Sequence, residues 1–63
     1  MQITFFSKDE PQGLIADWPV VPSVGEFIEV DKREGAALLR VGAVTYRMNR
    51  DATFHSVRVD LLY

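Results

Sequence analysis

Cysteine is absent from this 63-residue sequence, and histidine occurs once. The first absence excludes disulfides and thiolate metal sites, the usual staples of small secreted domains. The second leaves too few nitrogen ligands for a structural zinc. No apolar run approaches the ~20 residues of a membrane-spanning helix. The opening MQITFFSKDE has neither the basic start nor the long apolar centre of a signal peptide. A protein of the cytoplasm, in a bacterium or a phage-infected cell, is therefore expected, with no membrane partner. Repeats and low-complexity tracts are missing too. What remains is a folding composition, 48% hydrophobic and 25% charged. A chain this short buries only about 60% of its unfolded surface. Residues 1–63 are therefore read as one small domain that depends on a compact apolar core or on a second subunit to complete it.

The net charge of −2 is unevenly spread. Residues 1–31 carry Lys8 against Asp9, Glu10, Asp17, Glu26, Glu29 and Asp31, a balance of −5. Residues 32–63 carry six cations against Glu34, Asp51 and Asp60, a balance of +3. Such asymmetry marks either two faces with different partners or two halves that attract each other.

The stretch LLRVGAVTYRM, residues 38–48, has apolar residues at odd positions (Leu39, Val41) and then at even ones (Val44, Tyr46, Met48). A continuous strand would turn one set to water. The last segment, FHSVRVDLLY, alternates Val57, Val59, Leu61 and Tyr63 with Ser56, Arg58, Asp60 and Leu62. A hairpin around Asp51 and Ala52 pairs Tyr46 with Val57 and Val44 with Val59, all facing inward. One extra residue at Gly42–Ala43 then lets Val41 meet Leu61 and Leu39 meet Tyr63, which is the definition of a β-bulge. The same register places His55 across from Met48.

Upstream, MQITFF reads as a strand with Ile3 and Phe5 on one side and Thr4 and Phe6 on the other. Residues 7–22 read as a long loop. Within it, LIADW is an irregular loop or single turn that pins Leu14 and Trp18 onto the barrel, because Pro19 keeps Trp18 from helix. Phe27, Ile28 and Val30 form a strand, and DKREG turns back into the long strand. A sheet that must bend suits a barrel. The expected fold is all-β, a small, strongly bent antiparallel sheet forming a five-stranded, partly open barrel.

VPSVGEFIEV, followed by a charged turn and LLRVGAVTY, resembles the turn into the second strand in small SH3-like β-barrel proteins of bacteria and phages. There a Pro-x-x-Gly leads into a strand and a valine-rich strand follows. The resemblance covers about residues 20–63. It implies the SH3-like fold, and a role as nucleic-acid binder, assembly part or inhibitor of another protein.

Catalysis needs groups in defined roles, and the sequence offers few. His55 is the only conventional base. Its neighbour Ser56 is expected on the opposite face of the strand, out of reach. Asp9 and Glu10 sit in a loop without further metal ligands at a recognisable spacing, and the glycines form no phosphate-cradling loop. No enzyme and no cofactor is expected.

Two binding readings remain. Phe6, Phe27 and Leu62 lie opposite the core-facing sets, and exposed aromatics are common at interface hot spots. With Trp18 and the acids Asp9, Glu10, Glu26 and Glu29 they suggest a protein-binding surface. A phage-type inhibitor that blocks a host defence or regulatory complex fits this, the acids imitating phosphates at a basic site. The alternative is nucleic-acid binding by a hairpin face bearing Arg40, Arg47 and Arg58 with Arg50 at its tip. A homodimer through the same apolar strip is the further alternative.

Overall fold

A computed structural model describes residues 1–62, and in it the alternation breaks where the register demands. Strand β4 (Gly35–Met48) pairs antiparallel with β5 (Phe54–Leu62). Tyr46 faces Val57, Val44 faces Val59 and Val41 faces Leu61, with a one-residue slip between Val41 and Ala43. Gly42 is the extra residue. A Cβ there would fall 2.7 Å from Cγ and Cδ1 of Leu62, which lies over it. The slip turns Leu39 and Val41 to the same side as Val57 and Val59, and all four are buried. The expected Leu39–Tyr63 pair falls outside the described residues.

Strand β1 (Gln2–Phe6) lies on the other side of β5, β2 (Leu14–Asp17) flanks β1, and β3 (Phe27–Lys32) flanks β4. The order of the five-stranded sheet is β2–β1–β5–β4–β3. It curls into a half-barrel, the small, partly open barrel expected. Its concave face holds the core of Ile3, Phe5, Leu39, Val41, Val57 and Val59. The sheet is mixed, however, because β1 runs parallel to β5. No hairpin joins these two strands; their apolar faces set the pairing, Ile3 opposite Val57 and Phe5 opposite Val59.

The segment expected as an irregular loop or single turn is strand β2. LIAD, in which Ile15 alone strongly favours a strand, pairs as one because β1 offers it an open edge, with Ala16 opposite Ile3 and Leu14 opposite Phe5. The reversal before it has Pro11 in second place in a turn closed by Gly13 N–H donating to Glu10 O at 3.1 Å. Gly13 has φ +91°, and a Cβ there would lie 2.8 Å from Thr4 Cγ2. The long loop is thus two shorter ones. The second carries Trp18, whose ring centroid lies 4.7 Å from that of Phe5 and lids the core. Leu14, expected beside it on the barrel, is more than half exposed.

The lead-in to β3 is a β-turn closed by Glu26 N–H donating to Ser23 O at 3.1 Å. Gly25 N–H to Val41 O, 2.9 Å, and Val41 N–H to Glu26 O, 2.8 Å, dock it beside the bulge. Arg33 and Glu34 alone connect β3 to β4, so the long strand starts at Gly35 rather than Leu38.

The β4–β5 hairpin outruns its neighbours, since Val57 takes the last rung of β1. The molecule is consequently elongated, 45 × 21 × 21 Å, with a radius of gyration of 12.5 Å. A compact chain of this length has about 11 Å. Tyr46, Met48 and Phe54 share the concave parity but lie past the cover of β1, and each is more than half exposed. A second slip pairs Arg47 with Ser56 and Met48 with Phe54, so His55 is an extra residue rather than the partner of Met48.

Candidate functional site

The half-barrel is open along one seam, between the edge strands β2 and β3. No Cα of β2 comes within 8 Å of a Cα of β3, whereas hydrogen-bonded strands lie about 4.8 Å apart. The floor of the gap is apolar. A hollow of about 310 Å³ lies between Leu14, Ala16 and Trp18 on one side and Ile28 and Val30 on the other, with Phe5 and Leu61 beneath. It continues past Leu39 to Asp9, Glu10 and Lys32 at one end, and to Val20, Val21, Pro22, Glu26 and Phe27 at the other.

The β3 lip is acidic. Glu29 and Asp31 stand on β3 opposite Leu38 and Ala36 of β4, and among the described residues neither has an ion-pair partner. Asp9 pairs with Lys32 at 2.6 Å, and a Glu26 carboxylate oxygen accepts the Ser23 N–H. The edges also carry backbone groups. Val41 N–H donates to Glu26 O; counting on by the antiparallel alternation turns the N–H and C=O of Phe27, Glu29 and Asp31 to the seam.

Of the residues singled out in the sequence for protein binding, Asp9, Glu10, Trp18, Glu26, Phe27 and Glu29 all line this groove. Phe6 and Leu62 do not. Phe6 lies half-buried on the convex face under the Arg58 guanidinium, whose carbon is 4.0 Å from the ring centroid. Leu62 is exposed on that face, across Arg40 from Phe27. Leu14, Ile28, Val30 and Asp31 complete the groove without having been singled out. The signal for three of them was present, since Ile28 and Val30 alternate with Glu29 and Asp31, but nothing in that alternation marks an edge strand.

The four arginines do not form one surface. Arg47 and Arg58 share a shallow depression with Thr4, Phe6 and Ser56. Arg58 is held in it by Asp60, its Nε and Nη2 donating to the carboxylate at 2.9–3.2 Å. Arg40 lies two same-face rungs from Arg58, roughly 14 Å at the usual rise, and Arg50 sits at the hairpin tip.

His55 and Ser56 are not kept apart as expected. Because His55 is the extra residue of the second bulge, alternation fails there, and its Nδ1 lies 2.8 Å from Ser56 Oγ. The pair is at the surface, and among the described residues no group of three histidine, aspartate or glutamate side chains is placed to hold a metal.

No protein family matches the chain, and neither a curated protein nor a solved structure does.

Proposed function

We propose that the chain is a non-enzymatic protein-interaction module whose working surface is the open seam. One observation carries this reading: six of the eight residues singled out in the sequence, Trp18, Phe27 and the four acids, converge on an apolar groove between two unpaired strand edges. An apolar floor with a charged rim is the composition of a protein-binding surface. Such a module acts by occupying a surface on something larger. Blocking a host defence or regulatory complex, as a phage-type inhibitor does, asks nothing more of the chain.

The test is affinity capture from a bacterial lysate, with and without nuclease treatment, with three baits: the wild type, a seam variant (Phe27→Ser with Glu29→Lys) and a convex-face variant (Arg47→Ala with Arg58→Ala). All substituted side chains are largely exposed, so the fold tolerates the changes. The reading expects a defined protein held by the wild type and the arginine variant and lost from the seam variant. Capture that disappears with nuclease, or that depends on the arginines, would move the function to nucleic acid.

A further inference from the structure

Resting on that reading, we infer what the seam receives: an extended, lysine- or arginine-bearing segment of a partner protein, added antiparallel to β3 as a sixth strand. Three features of the groove point to it. The gap exceeds 8 Å between Cα atoms, and one inserted strand needs two spacings, about 9.6 Å. The longer edge, six-residue β3, presents the backbone groups of Phe27, Glu29 and Asp31 in the pattern that an added strand pairs with.

The third feature is charge in the correct phase. A strand paired with β3 sends alternate side chains into the groove, over Ile28, Val30 and Trp18. The others lie on the convex side beside Glu29 and Asp31, which face apolar Leu38 and Ala36 directly across the pair, with Arg40 diagonal to Glu29 as the one β4 cation on that face. Opposite charges directly across a strand pair attract, and like charges repel. The added segment therefore alternates apolar residues with cations. A second copy is the wrong occupant, because pairing β3 with β3 across a two-fold axis brings the same acids together.

The probe is a capped seven-residue peptide alternating valine with lysine, used at concentrations where sedimentation shows it to be monomeric. Two controls replace lysine by glutamate, or put proline where an N–H faces β3, since proline has none to donate. Trp18, the only tryptophan, lines the groove and reports occupancy by fluorescence. The lysine peptide should saturate that signal and slow amide exchange at Phe27, Glu29 and Asp31 at least about tenfold. Both controls should bind at least about tenfold more weakly, a difference of ~1.4 kcal/mol. Glu29→Lys with Asp31→Lys should invert the preference between the lysine and glutamate peptides, its dispersed NMR spectrum showing that it folds. Equal binding of the lysine and proline peptides, or binding without slowed exchange, overturns the inference. If the peptide fails while the seam variant still loses its captured protein, the strand inference falls and the interaction module stands. If capture is also indifferent to the seam, both fall.

Discussion

Lys32 Nζ lies 2.6 Å from Asp9 Oδ2, joining the end of one edge strand to the loop that precedes the other. This ion pair bridges the mouth of the half-barrel at the point where the sheet itself does not close. Its side chains are 32% and 56% exposed, so it adds about 0.2–1 kcal/mol. Urea unfolding of Lys32→Ala should show a loss of that size at low salt and almost none at 1 M salt, where screening reaches about 3 Å. The same variant removes a cation that follows Asp31 at the end of the acidic lip and should tighten the lysine peptide. A salt-independent loss of several kcal/mol would mean the bridge does more than tie a loop.

The hairpin tip contains a residue in an unfavourable conformation. Ala52 has φ 71°, the left-handed position that ends a three-residue hairpin loop and favours glycine. Ala52→Gly should stabilise the protein by up to about 1 kcal/mol, because the relief of strain exceeds glycine's extra chain entropy. For a domain of this size that is a rise of roughly 4–8 °C in Tm, read by thermal circular dichroism.

Two glycines should respond unequally to alanine. At Gly13 the new Cβ meets Thr4 Cγ2 at 2.8 Å and the Phe6 ring at 3.0 Å, on a backbone at φ +91°. At Gly42 its three nearest atoms all belong to Leu62, an exposed side chain free to swing away. Gly13→Ala should cost about 1–3 kcal/mol, from left-handed strain and crowding, and Gly42→Ala distinctly less. Equal costs in urea titrations would show that the Gly42 bulge is as tightly filled as the Gly13 turn.

Asp51 gives the tip a pH dependence. Its carboxylate accepts the Thr53 hydroxyl at 2.6 Å and the Thr53 N–H at 3.1 Å. Both bonds favour the charged form, the hydroxyl bond more strongly, and hold the pKa below its ordinary 3.8. A lowered carboxylate pKa means that the stabilisation is complete above the ordinary value and is lost as pH falls through the lower one. The Thr53 amide shift should therefore titrate with a midpoint below 3.8. A midpoint at or above that value would mean these bonds do not persist in solution.

The bulge at Gly42 was legible because the apolar parity changes within one strand, from Leu39 and Val41 to Val44 and Tyr46. The same kind of signal was present at His55, since Phe54 is even-numbered while Val57, Val59 and Leu61 are odd, and that slip brings His55 to Ser56. Strand β2 was not legible. Its consecutive Leu14, Ile15 and Ala16 carry no alternation, and only the edge of β1 makes them a strand. The parallel β1–β5 pairing likewise rests on apolar faces from opposite ends of the chain. As for the site, six of eight candidate residues fell on one groove, because acids before and within β3 and an aromatic after β2 end up on facing edges. That those edges stay apart is a property of the whole curled sheet, and no local pattern announces it.

Amide hydrogen exchange of the free protein tests the open seam most directly. Ile28 and Val30 point their N–H groups at β4 and should exchange slowly, while Phe27, Glu29 and Asp31 point theirs at the gap and should exchange fast. Alternating protection along β3 is the result expected. Protection at all five positions would contradict it, showing that β3 already has a second neighbour, whether β2 or another copy of the chain.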